Sequence, residues 1–225
     1  MRIGIIGSGV VGQTLGAKLV ERGHQVVLGT RSPDKTSEKR GMGSSLGEWL
    51  ANVGSNGGLG TFAEAAQHGE VIFNATAGTA SVQALKDAGS DNLRGKILID
   101  VANPLDFSKG MPPTLTVCNT DSLGEQIQRA FPDVKVVKAL NTVNMQLGVD
   151  AMQLAGGEHD LIICGDDEPA KRQVTQWLTE WFGWKHVIDL GDISASRGTE
   201  MFLALWIRLM TKFGTGSFNI RMVNA

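Results

Sequence analysis

Two cysteines, Cys118 and Cys164, are the only thiols in a chain of 225 residues. Their number and spacing build neither a disulfide framework nor a zinc site, which is the usage expected of a reducing cytoplasm. An excess of one charge is also missing: Lys+Arg 21 against Asp+Glu 23 gives a formal net charge of -2. No global basic field exists to hold nucleic acid or an anionic membrane. Long apolar runs are scarce, since the stretch from Met201 to Met210 is short and broken by Arg208. No basic-headed apolar leader precedes a small-residue cleavage site, so neither a signal peptide nor a membrane span is expected. What is plentiful is glycine, at 29 residues. The length suits one sizeable core, a single large domain with at most a small appendage.

Arg2-Ile3-Gly4-Ile5-Ile6 is an apolar run without a polar face, and after the glycines that follow, Leu15, Leu19 and Val20 recur at helical spacing. A buried parallel strand feeding a helix fits this pattern. Gln25-Val26-Val27-Leu28 comes after the helix stop at Gly23, and Ser32-Pro33 predicts another helix, with Ser at the cap and Pro in the first turn. The alternation continues through Val71-Ile72-Phe73, Ile97-Leu98-Ile99, Val134 to Val137 and Leu161-Ile162-Ile163, the signature of a doubly wound, mainly parallel α/β sheet. The glycine-rich stretch Asn52 to Gly60 reads as a loop before a short third strand. Ser122-Leu123-Gly124-Glu125 has capping-box spacing, and Glu168-Pro169 opens a helix carrying Val174, Trp177, Leu178 and Trp181. From about Ser194 a more apolar helix follows, with Met201, Phe202, Leu205, Trp206 and Leu209, as for a helix covered on several sides at a subunit contact.

Gly7-Ser8-Gly9-Val10-Val11-Gly12 is a G-x-G-x-x-G that directly follows the first strand and opens a helix, the context that makes this pattern a dinucleotide site. Gly7 permits the tight turn, Gly9 lets the backbone approach a pyrophosphate, and Gly12 allows close packing of helix on strand. The helix start adds unpaired N–H groups and partial positive charge. About 20 residues on, where an NAD-specific fold carries an acid for the ribose, the chain reads Gly29-Thr30-Arg31-Ser32. Arg31 can make paired bonds to a phosphate, Thr30 and Ser32 offer hydroxyls, and Lys35 follows shortly after. The cluster fits a ribose 2′-phosphate, hence NADP(H) over NAD(H).

Ligands in such folds lie beyond the carboxyl ends of the strands, which nominates Thr76 and Ala77, Ala102 and Asn103, and Asn141 and Thr142 for the nicotinamide side. Small side chains and amides suit a flat ring, with Asn103 and Asn141 able to bond a carboxamide. Loop capping is the plainer use of the same residues. A general base is what these loops lack. His24, His68, His159 and His186 all fall away from the strand ends, and Lys138 sits within a strand run, to be packed or paired. Hydride transfer between two redox rings needs alignment more than proton chemistry, so the absence is compatible with a cofactor-to-cofactor reductase. Cys118, flanked by Val117, is expected to be a buried, inert thiol. Asp166-Asp167-Glu168 reads as favourable charge at a helix start, not as a metal site.

With these residues in place the chain resembles the NADP oxidoreductases that use the 8-hydroxy-5-deazaflavin coenzyme F-420, and the related cytosolic domain of the six-transmembrane metalloreductases. The resemblance runs nearly end to end. It is carried by the glycine loop, Gly29 to Ser32, Asn103-Pro104-Leu105, Val136-Val137-Lys138-Ala139-Leu140-Asn141-Thr142, Cys164 to Asp167 and Asp189 to Asp192, and by Phe213-Gly214 and Phe218-Asn219. It implies a Rossmann-type NADP-binding domain over 1–190 and a small helical part over 191–225 that covers the cleft. It also implies a homodimer and hydride transfer from NADPH to a small-molecule, flavin-like acceptor. In that picture Ser8 to Val11 hold the pyrophosphate, Thr30, Arg31 and Lys35 hold the 2′-phosphate, and the Thr76, Asn103 and Asn141 loops meet the nicotinamide. The two branches differ at Asn141: deazaflavin enzymes can carry His there, metalloreductase-type domains carry Asn. The acceptor is thus open between a deazaflavin and an ordinary flavin, with Asn141 the residue to orient the ring. A non-catalytic NADP(H) sensor is the competing class, since fold does not fix function, and an imine reductase would need an acid that the chain does not offer.

Overall fold

The computed structural model describes residues 1–37 and 43–223. The chain runs β1 (Arg2–Ile6), α1 (Val10–Glu21), β2 (Gln25–Gly29), α2 (Leu46–Val53), β3 (Gly57–Gly60), α3 (Phe62–His68), β4 (Val71–Asn74), α4 (Gly78–Ala88), the single turn α5 (Ser90–Leu93) and β5 (Ile97–Asp100). An antiparallel pair of two-residue strands, β6 (Leu105–Asp106) and β7 (Thr114–Leu115), precedes α6 (Leu123–Ala130) and β8 (Lys135–Lys138). Then come α7 (Met145–Gly148), β9 (Asp160–Ile163), α8 (Glu168–Phe182), β10 (His186–Asp189) and α9 (Ser196–Phe213).

Six strands form one sheet in the order β3-β2-β1-β4-β5-β8 with every pair parallel, a Rossmann-type doubly wound arrangement. Helices cover both faces, which is why the central strands carry apolar residues without alternation. Leu15 and Leu19 of α1, Trp49 of α2, Leu147 of α7 and Val174 and Leu178 of α8 share one core. Ala65 of α3, Leu85 of α4 and Ile127 of α6 share the other. Strand order reverses between β1 and β4, where a crevice opens at the carboxyl ends. The register makes that edge level: Ile6 lies opposite Gly29 and Asn74, Asn74 opposite Asp100, and Asp100 opposite Lys138. Gly7, Thr30, Ala75, Val101 and Ala139 therefore all leave the sheet at one rim. Beyond β8 an antiparallel bridge between Lys138 and Cys164 joins the parallel pair β9 and β10.

Three local expectations are corrected. No helix starts at Ser32-Pro33: Pro33 and Asp34 form a turn, with Lys35 N–H donating to Ser32 O at 3.3 Å and Thr36 N–H to Asp34 O at 3.0 Å. The next helix instead begins after Ser45, where Ser45 and Glu48 complete a capping box. The basic residues Arg31 and Lys35 therefore stand at the rim with no helix start behind them. The glycine-rich stretch is not one loop but the end of α2, a 3-10 turn and β3 itself. Glycine serves an edge strand there because at Gly57 a Cβ would overlap the Val53 side chain. Cys118 is exposed, because burial alternates along 116–118 and turns Val117 inward and its neighbours out. Cys164, by contrast, is buried, and burial pushes its thiol up to about 12. No helix among the described residues is long and apolar enough to cross a membrane.

Candidate functional site

The rim holds the glycine loop at its centre. Gly7 has φ 118°, and a Cβ there would lie 2.5 Å from the Ala75 carbonyl oxygen, so only glycine fits the turn. At Gly12 a Cβ would overlap the Gly7 carbonyl oxygen, which fixes α1 close against the sheet. Gly9 differs: its backbone (φ -75°, ψ -174°) is open to any residue and a Cβ would meet nothing within 4 Å. Gly9 is also the N-cap of α1 and no side chain caps the helix. The first N–H groups of α1 thus face open space over a residue without a side chain, the cradle that a pyrophosphate needs.

Toward β2, Thr30 is buried and its N–H donates to Gly60 O at 2.9 Å, which anchors the start of the segment. Arg31 projects from there and is exposed, with Ser32 and Lys35 next to it in the Pro33 turn. These residues gather at the end of β2, one strand from the glycine loop.

Toward β5 and β8 the rim is built from amides over a buried ionic group. Asn74 Nδ2 donates to Asp100 at 2.8 Å while its Oδ1 accepts from Thr76 Oγ1 at 2.7 Å. Ala77 caps α4 with no side-chain bond, and at Gly78 a Cβ would overlap the Asn103 carbonyl oxygen. Asn103 Nδ2 donates to Asn141 O at 2.8 Å and Asn141 Nδ2 donates to Asn103 Oδ1 at 3.0 Å. Asn103 and Asn141 are therefore one reciprocal pair, and Thr142 is buried beside them. Asn141 Oδ1 is buried without a partner. Leu140, just before it, is in the left-handed region at φ 61°, a costly conformation of the sort that concentrates at working sites.

Beneath this pair Lys138 is fully buried. Its ammonium contacts Asp100 and Glu200 at 2.8 Å each and donates to Ala102 O at 2.6 Å. Burial alone would push it down, but the two carboxylates outweigh that and hold it above the ordinary lysine range. The surplus negative charge is met by the start of α6, whose Leu123 and Gly124 N–H groups donate to Glu200 at 2.8 and 3.0 Å. Thr199, next to Glu200, takes a long bond from Asn141 Nδ2 at 3.4 Å. Arg197 adds a two-pronged pair with Glu125 and Ser196 Oγ meets Ser122 Oγ at 2.6 Å, so α9 is fastened to α6 beside the rim.

All of the residues that the sequence nominates lie along this rim, in two groups on either side of the glycine loop. Sequence reasoning passed over Thr199 and Glu200. The available signal was a carboxylate at position 200, one helical turn before the buried Leu203 and two before Ile207, on the apolar face of α9. The acids 166–168 have structural work: Asp166 accepts from Ile193 N–H, Asp167 caps α8, and Glu168 pairs with Lys171.

The family model of the NADP oxidoreductases described as coenzyme F420-dependent matches residues 2–104. A crystal structure from Arthrobacter sp. FB24, assigned as an F420-dependent NADP-reductase, is similar over 100% of both chains, with 47% identity and a TM-score of 0.94. Rat metalloreductase STEAP3 is 32% identical over 216 residues, 93% of this chain but 37% of that protein. The chain thus spans about a third of the length of the curated relatives it matches. An imine reductase from Myxococcus stipitatus in complex with NADP+ shares the fold at 16% identity and a TM-score of 0.63, over 95% of this chain and 63% of that one.

Proposed function

The chain belongs to the coenzyme F420-dependent NADP oxidoreductase family, and on that premise we propose that it passes a hydride between NADP(H) and a flat, flavin-like acceptor laid against the rim of the sheet. Membership makes it an NADP-dependent oxidoreductase. The observation that carries the reading is Gly9, a glycine that neither backbone nor packing requires, set under the uncapped start of α1. Ser8 to Val11 would hold the pyrophosphate through their N–H groups, and Thr30, Arg31, Ser32 and Lys35 the 2′-phosphate. Thr76, Ala77, Ala102, Asn103, Asn141 and Thr142 would border the nicotinamide. Bound NADPH supplies two electrons and a proton together as a hydride. The protein's part is to orient: Asn103 and Asn141 hold each other by two hydrogen bonds, and Asn141 Oδ1 is an acceptor with no partner of its own. No proton donor is required of these residues when the acceptor is a redox ring.

Two acceptor classes are supported by different observations. The full-length similarity to the Arthrobacter chain favours a deazaflavin, and Asn at position 141 together with the metalloreductase similarity favours an ordinary flavin. The part of the chain from 191 onward serves, in this reading, as a cover fastened beside the nicotinamide end. Met201 and Leu205 leave apolar surface on α9, which supports a homodimer through that helix. The exposed, unpaired Cys118 suits a reducing cytoplasm. The experiment is to mix NADPH with oxidised deazaflavin or flavin mononucleotide and follow both absorbances, with sedimentation of the same sample. Stoichiometric loss of NADPH and acceptor colour supports the reductase; tight NADPH binding with neither acceptor reduced would return the chain to a sensor.

A further inference from the structure

Gln13, one residue past the glycine motif, is nearly sealed from solvent at 5% exposure. Its side chain is used at both ends. Nε2 donates to Ser8 O at 3.1 Å and to Ser44 O at 3.0 Å, and Oε1 accepts from Ser44 Oγ at 2.8 Å. The Gln13 main-chain oxygen accepts from Trp49 Nε1 at 2.9 Å. Trp49 belongs to α2 and lies so close to α1 that a Cβ at Gly16 would come within 2.8 Å of its ring. α2 is in turn tied to the basic segment, since Gly47 N–H donates to Thr36 O at 2.8 Å. A continuous hydrogen-bonded path thus runs from the Arg31–Thr36 segment through α2 and Ser44 to Gln13 and the glycine loop.

The consequence follows from peptide geometry. In a trans peptide the carbonyl and the next N–H point to opposite sides. Pinning Ser8 O from within the fold turns the Gly9 N–H outward, to the open side of the cradle. We propose that Gln13 is a positioning residue for the dinucleotide: it sets the Ser8–Gly9 peptide and ties it to the segment bearing Arg31 and Lys35, so that pyrophosphate and 2′-phosphate contacts are made together. The inference rests on the NADP(H) reading above. Leucine, similar in size, offers neither the two donor hydrogens nor the acceptor.

The test is calorimetric titration of NADPH and NADH into the unmodified protein, Arg31→Ala, Gln13→Leu, the double variant, and Ser44→Ala, which removes only the Oγ bond. Positioning predicts that Gln13→Leu weakens both nucleotides and also cuts the preference for NADPH about tenfold, one charge-assisted bond's worth. It predicts that the fold-loss in the double variant is smaller than the product of the single losses, and that Ser44→Ala cuts the preference in the same direction but less. A purely structural glutamine would lower the melting temperature and leave the preference ratio untouched. Unchanged preference in Gln13→Leu with independent losses overturns the proposal, as does unchanged preference in Ser44→Ala if Gln13→Leu does not fold. An unmodified protein that takes neither nucleotide, or takes both equally, overturns the cofactor reading and the coupling with it.

Discussion

At Gly9 the fold makes no demand for glycine, a freedom that the proposed pyrophosphate site would use. Gly9→Val should melt within a few degrees of the parent, because its Cβ enters open space, yet lose dinucleotide binding; retained NADPH affinity by titration would remove the loop from the site. Arg31 supplies the converse case, an exposed side chain whose proposed role depends on a phosphate. Arg31→Ala should cost NADPH about 2 kcal/mol while barely changing NADH, since only the 2′-phosphate offers it charge-assisted bonds; equal losses for both would sink the assignment. The place of both residues on the rim was legible in the sequence, from the glycine motif after β1 and the end of β2. The open acceptor on Asn141 was not, because it depends on where Asn103 and Thr199 come to lie.

Among the elements, α9 is joined to the sheet by charge buried far from water. Lys138→Met should destabilise the protein by about 3–5 kcal/mol in urea unfolding, because Asp100 and Glu200 would face each other without a cation. A loss under ~1 kcal/mol would mean that water reaches the pair. The tail after α9 is held differently, at the surface. Arg221 first, then Lys185 and His186, hold the Glu158 carboxylate at about 2, while Asn219 donates to Asp160 O at 2.9 Å. A folded value below the unfolded one, about 4.3, means the tether stabilises fully above that pH and is lost as pH falls through about 2. The Asn219 side-chain amide resonance should move to its disordered position across that window; a midpoint near 4.3 would mean that the tail is not tethered by Glu158. Strands were readable from sequence since a buried parallel strand has no polar face to confuse it. The start of α2 was misread because Ser32-Pro33 offers a cap and a φ-fixed residue without an apolar face behind them, whereas Ser45-x-x-Glu48 has Leu46 and Trp49, both buried. Glu200 was hidden because its partners, Lys138 on β8 and the first N–H groups of α6, lie far off in sequence.

For the whole molecule the parallel order and level register bring the nominated residues to one rim, and that rim was visible in outline from the alternation of strands and the glycine motif. The resemblance set the last helix over the cleft, but the contacts that fasten it, Lys138 to Glu200 and Asn141 to Thr199, were not visible, because an apolar helix carries no sign of which side chains it meets. In the proposed function this rim binds NADP(H) and aligns it with a second ring. Its most direct test is paired titration of NADPH and NADH into the unmodified protein, followed in the same cell by oxidised deazaflavin and then flavin mononucleotide added to the NADPH complex. The account predicts a clear preference for NADPH and saturable binding of one of the two rings, with NADPH consumed. Equal affinity for the two nucleotides, or a saturated NADPH complex that takes up neither ring, would contradict it.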